Sequence, residues 1–201
     1  MKQGWVMVLL GLIAAWSVAA ADEAGSDRDR LKPLASFKKI DNDEERGRAL
    51  FQEIGRVLQH PRCTNCHPRT DRPLQGEDGA LHQPLVVRGL DGMGSPPVMC
   101  NNCHLDDNVQ NVPGNPRWRL APASMAWEGH SLSEICRQIK DEKRNGGRSL
   151  QELGEHMAHD RLVAYGWNPP GQLEPVPGSQ EVFGKLFYAW IDAGAQCPGS
   201  E

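Results

Sequence analysis

No stretch of this 201-residue chain alternates apolar and polar residues as a half-buried strand does, so a sheet-based fold is not expected. Beyond residue 21 there is no apolar run of about 20 residues, the length a helix needs to cross a bilayer. There is no excess of basic side chains: 22 Lys and Arg stand against 26 Asp and Glu, a formal net charge of −4. That balance argues against nucleic acid as a partner, because phosphate binding draws on a basic patch. It suits docking to a basic patch on another protein. Tyrosine is scarce, at 2 residues, while tryptophan numbers 6. The only internal repetition is short and involves four of the 6 cysteines.

The chain opens with an export pattern. Lys2 supplies a positive start, an apolar run follows from Trp5 to Ala20, and small residues close it at Val18-Ala19-Ala20-Ala21. Residues 1–21 are therefore expected to be a signal peptide, cleaved after Ala20 or Ala21; the alternative is an uncleaved membrane anchor. No cysteine stands there to carry a lipid. The mature protein is expected to be soluble and periplasmic. Residues 22–40 are charged and lack apolar periodicity, and are expected to form a flexible N-terminal arm before a single domain over 41–201.

Helical periodicity begins at Asn42 or Asp43 and continues to about Leu58, with Leu50, Ile54, Val57 and Leu58 on one face. Pro61 is expected to prevent further helix. Residues 68–99 are rich in Pro and Gly and read as loop, a length that is unusual without something to organise it. Three more helices are expected, over Leu132–Lys143, Leu150–Val163 and Gln180–Ala193. The first two carry capping boxes, Ser131 with Glu134 and Ser149 with Glu152. The expected class is mainly α with long Pro/Gly-rich loops.

The chemistry lies in the repeated cluster. Cys63-Thr64-Asn65-Cys66-His67 and Cys100-Asn101-Asn102-Cys103-His104 both read C-x-x-C-H, the attachment signature of c-type haem. Two thiols three positions apart on one helical turn reach the two vinyl groups of one porphyrin, and the adjacent His lies under the iron. A structural zinc site is the first competing reading. Such sites usually space their cysteine pairs by about 15–20 residues; the gap here is nearly twice that, and zinc gives no reason for a His after each pair. A pair of thioredoxin-like redox motifs is the second, and it lacks the βαβ context.

On these motifs the chain resembles the c-type cytochrome superfamily, in its compact two-haem form. The helix before Cys63 is similar to the opening of a class I cytochrome c. The aromatic C-terminal helix, with Phe187 and Trp190, resembles the helix that packs across it. Only 32 residues separate His67 from Cys100, too few for a complete class I domain, so the resemblance implies one merged dihaem domain. The stretch Arg119-Leu120-Ala121-Pro122-Ala123-Ser124-Met125-Ala126-Trp127-Glu128-Gly129 and the later Asn145-Gly146-Gly147-Arg148 also resemble two-haem proteins, some of which are subunits of molybdenum-containing oxidoreductases. The implied cofactors are two covalent haems c with their iron. The haems would be held by Cys63, Cys66, Cys100 and Cys103, with His67 and His104 as proximal ligands. The implied activity is electron transfer between a redox donor and a redox acceptor.

The sixth iron position decides between a carrier and an enzyme. His82, His130, His156, His159, Met93, Met99, Met125 and Met157 are the available residues. His82, in the loop between the motifs, and His156, beside an apolar stripe, are the leading candidates, with Met125 as the main substitute. Asp160, four residues after His156, is placed to orient its ring. A peroxidase-like enzyme or a haem sensor with one open distal position is the alternative reading. Cys136 and Cys197 remain; they form a disulfide or stay as two buried thiols. Trp118, Trp127, Trp167 and Trp190 are expected to pack against haem faces.

Overall fold

A computed structural model describes residues 29–199, so the expected signal peptide lies outside the described residues. The architecture is mainly α. Helix α1 spans Asp43–Leu58, α2 Pro61–Thr64, α3 Leu132–Lys140, α4 Leu150–His159, α5 Arg161–Ala164 and α6 Gln180–Asp192. Two hairpins of two-residue antiparallel strands interrupt the long loop. One pairs β1 (Leu74–Gln75) with β2 (Ala80–Leu81), and the other pairs β3 (Gly94–Ser95) with β4 (Val98–Met99).

The core sits where α6 packs against α1 on one side and α4 on the other. The Phe51 and Trp190 rings meet with centroids 4.8 Å apart, and Trp190 meets Phe187 at 5.1 Å. Leu50, Ile54, Ile135, Ile139 and Leu186 fill the space around them. Each such side chain contributes about 1.5–3 kcal/mol by leaving water. Helices α4 and α6 approach closely because both carry glycine at the contact. A Cβ at Gly184 would fall 2.6 Å from Ala158 Cβ, and one at Gly154 would fall 2.6 Å from a Tyr188 ring carbon.

The ends of the helices depart from the expected boundaries for local reasons. Helix α3 ends at Lys140, because Asp141 turns the chain by accepting from the Lys143 N–H at 3.0 Å. The Asn145 amide then ties the loop down through the Ile139 and Arg148 carbonyls, each at 2.9 Å. Helix α4 stops at His159, because Asp160 leaves helical geometry to cap α5, its carboxylate accepting from the Leu162 N–H at 2.8 Å. Pro61 does not end helix formation; it occupies the first position of α2, where its missing N–H costs nothing.

The N-terminal arm also needs correction. Residues 29–40 do not project freely, since Leu31 and Phe37 are buried in the main core. Buried Glu53 accepts from the Lys32 N–H at 3.0 Å, and Arg56 donates to the Arg30 carbonyl at 2.6 Å. Anchoring through main-chain groups leaves no periodic pattern to read. At the other end, Cys136 on α3 is joined to Cys197 by a disulfide with Cα atoms 5.6 Å apart, which fastens the C-terminal segment to the core.

Ser131 accepts from the Glu134 N–H while the Glu134 carboxylate accepts from the Ser131 N–H at 2.8 Å. Replacing Ser131 with Ala is expected to cost about 1 kcal/mol, read as a lower urea midpoint with an unchanged slope. An unchanged midpoint would show that the cap contributes nothing.

Candidate functional site

Both C-x-x-C-H clusters adopt one tight turn with the same closing bond. The His67 N–H donates to the Cys63 carbonyl at 3.1 Å, and the His104 N–H to the Cys100 carbonyl at 2.9 Å. The turn places both thiols and the imidazole of each cluster on one wall. Cys63, Cys66, Cys100 and Cys103 are all free thiols.

The first cluster faces a cavity of about 720 Å³, within the usual range of about 300–1,000 Å³ for a cofactor site. Cys63, Cys66, His67, His156, Met157 and Tyr165 are among its lining residues. The second cluster lines a small cavity of about 40 Å³ with His82 and Trp118. Cys103 is exposed, and the exposed large aliphatic residues of the described chain all fall between Leu81 and Val112, so this second site lies near the surface.

Four imidazoles share one arrangement. His67 Nδ1 lies 2.7 Å from the Met125 carbonyl oxygen, and His104 Nδ1 lies 2.7 Å from that of Pro113. His82 Nδ1 lies 3.1 Å from the Pro84 carbonyl, and His156 Nδ1 lies 3.0 Å from an Asp160 carboxylate oxygen. A carbonyl or carboxylate only accepts, so Nδ1 must donate, which leaves a lone pair on Nε2 in the neutral ring. A metal-binding histidine is oriented in this way. The other three histidines differ. His60 Nδ1 accepts from the Arg62 N–H at 3.2 Å, His130 Nδ1 stands farther from its carboxylate, 3.5 Å from Glu134, and His159 faces Glu155 through Nε2 at 3.8 Å.

The four fall into two pairs. His82 and His104 have ring centroids 6.0 Å apart. A metal bound about 2 Å from each ring nitrogen fits between rings so spaced. His67 and His156 line the same cavity, and a charge on His156 would lower His67 further. Each proximal candidate is also backed by an indole. Trp127 stacks on His67 at 3.5 Å with planes 7° apart, and Trp118 stacks on His104 at 4.6 Å with planes 10° apart.

Met125 meets His67 through its carbonyl, which holds Nδ1, and its buried side chain is among the residues lining the first cavity. The packing role of Trp118 and Trp127 against the histidines, and the main-chain acceptors at Pro113 and Met125, were not visible as motifs. The position of Trp118 and Trp127 in Pro-rich stretches after the clusters was the only hint.

The electrostatics keep these groups neutral. Burial pushes the Cys63 thiol up to about 12 and the Cys66 thiol up to about 11. A reactive redox pair needs a lowered value, so the thioredoxin-like reading has no support here. Among the described residues no group of three or more His, Cys, Asp or Glu side chains gathers to hold a bare metal ion. Burial pulls His67 down to about 3, against the pull of its Met125 bond in the opposite sense. Burial also lowers His156, outweighing Asp160, so the His156–Asp160 contact is a hydrogen bond from a neutral ring rather than an ion pair.

Two short segments bind the sites together. The Ala121 N–H donates to the Cys66 carbonyl at 3.0 Å, and the adjacent Leu120 N–H to the Gly92 carbonyl at 2.9 Å. Gly92 in turn receives a long contact from the Cys100 thiol at 3.8 Å. Buried Arg88 donates to the carbonyls of Pro68, Thr70 and Ala121, clamping the loop over the first cavity.

No protein-family model matches the chain, and no curated protein or solved structure matches it. None of the helices in the described residues is long and apolar enough to cross a membrane.

The lowered His67 has a consequence for stability. The unfolded ring takes up a proton near pH 6.5 and the folded ring only near pH 3, so stability falls as pH drops between those values. His67→Gln is expected to flatten the decline in that window relative to the parent sequence, measured by urea titration of both proteins without bound cofactor at several pH values. Parallel curves would contradict the assigned neutrality of His67.

Proposed function

We propose that this protein is an exported dihaem c-type cytochrome that relays electrons between a redox donor and a redox acceptor. The carrying observation is the set of four histidines with Nδ1 anchored and Nε2 left available, paired as His67 with His156 and His82 with His104. Each pair stands beside its own C-x-x-C thiols. Covalent haem supplies a one-electron iron centre at each site when bound.

The chain's own residues then do the following. Cys63 and Cys66 would form the thioethers at the first site, and Cys100 and Cys103 those at the second. His67 and His104 would serve as the proximal ligands, and His156 and His82 as the distal ones. The Met125, Pro113 and Pro84 carbonyls and the Asp160 carboxylate fix the ring orientations and make the nitrogens facing the metal better donors. Trp127 and Trp118 hold the proximal rings flat. With two His ligands at each site, neither centre would have a place for substrate, which favours a carrier over a peroxidase or a sensor. Two His ligands at each site also favour low potentials over the higher ones that Met gives.

The ferric protein, produced together with a haem-attachment system, is expected to show two low-spin centres in visible and near-infrared magnetic circular dichroism. His156→Ala is expected to turn one centre high-spin, and His82→Ala the other. Low-spin spectra that survive both substitutions would reject the distal assignments. A high-spin centre in the parent protein that takes up cyanide would instead support an enzyme or sensor.

A further inference from the structure

We propose that Trp118, in contact with Tyr165, is the bridge over which an electron passes between the two sites. The inference rests on the two-centre reading above. The His104 ring lies flat on Trp118, with centroids 4.6 Å and planes 10° apart. Trp118 then meets Tyr165 edge to face, with centroids 4.9 Å and planes 85° apart. Tyr165 is part of the wall of the first cavity together with Cys66. Two ring-to-ring contacts therefore lead from a ligand of the second centre to the pocket of the first.

The contact is held from both sides. Trp118 is set by a turn in which its N–H donates to the Asn115 carbonyl at 3.0 Å. Its neighbour Arg117 approaches Asp160 at 4.0 Å, and Asp160 is the carboxylate on which His156 rests. Tyr165 follows directly on α5, the helix that Asp160 caps. The residues that orient the distal ligand of the first site thus also position the ring that meets Trp118. Burial keeps the Tyr165 hydroxyl protonated, its pKa pushed up to about 12.

Electron tunnelling weakens steeply with distance and more steeply across gaps than through packed atoms, so a chain of touching π-systems is a favoured route. In the step itself, one electron leaves one iron and arrives at the other. The first is oxidised by one unit and the second reduced by one. No bond breaks, no proton moves, and neither aromatic ring is itself oxidised.

The test is flash reduction of the haem-loaded protein by a small one-electron reductant, followed by absorbance at both centres. Trp118→Leu is expected to slow transfer between the centres by an order of magnitude, more than any change in driving force read from the two midpoint potentials of the same variant accounts for. Trp118→Phe, which keeps a ring on His104, is expected to lose much less. If the Leu variant does not accumulate, Tyr165→Leu cuts the same contact from the other side with the same expectation. An unchanged transfer rate in a spectrally intact Leu variant overturns the bridge and leaves the two-centre reading standing. Failure of the parent protein to hold covalent haem overturns that reading, and the bridge with it.

Discussion

The hydrogen bond on Nδ1 of each of four histidines is the constraint on which the site depends. A free histidine ring has two tautomers and turns about its side-chain bonds. An acceptor 2.7 to 3.1 Å from Nδ1 chooses one tautomer and one orientation, and it leaves the other nitrogen as a donor to something else. Three of the acceptors are main-chain carbonyls, at Met125, Pro113 and Pro84. The loops that carry these carbonyls are thereby part of the site, which explains why so much of the chain is irregular yet well placed. The fourth acceptor, Asp160, does two things at once, capping α5 and holding His156.

The helical layer and the loops divide the work. Helices α1, α4 and α6 make a dry core in which aromatic rings interlock and two glycines let α4 and α6 approach. The loop between the clusters leaves Leu81, Leu85, Val87 and Leu90 exposed, so it is held largely by polar bonds instead. Arg88 is the chief of these, with three carbonyls around one buried guanidinium. The Asp71 carboxylate, 3.5 Å from its Nε, faces the charge on the side that the carbonyls leave open. The segment Leu120–Ala121 then ties the two cysteine turns to each other through adjacent N–H groups. The first site is roomy, while the second is small and adjoins the exposed aliphatic residues of its loop.

Much of the helical layer was legible in the sequence. Leu50, Ile54, Val57 and Leu58 marked the buried face of α1, and the Ser-x-x-Glu pairs marked the starts of α3 and α4. The ends were less legible, since Asp141 and Asp160 act through local side-chain bonds that compete with the helix. The packed segment around Leu31 and Phe37 was missed because two anchors without a period leave no signal. Within the site, the cysteine clusters stand out as motifs, and the spacing of His156 and Asp160 suggested their hydrogen bond. What could not be read was the work of the main chain. Met125 attracted notice for its sulfur, yet its carbonyl is the group that touches His67, and any residue has a carbonyl. The pairing of His82 with His104 depends on how a Pro/Gly-rich loop folds back, which no local pattern specifies.

The most direct test of the account is mass spectrometric peptide mapping of the protein after export by a host with a haem-attachment system. The account predicts that the peptide containing Cys63 and Cys66 and the peptide containing Cys100 and Cys103 each carry one haem. Both peptides recovered unmodified, or with their cysteines in disulfides, would contradict it.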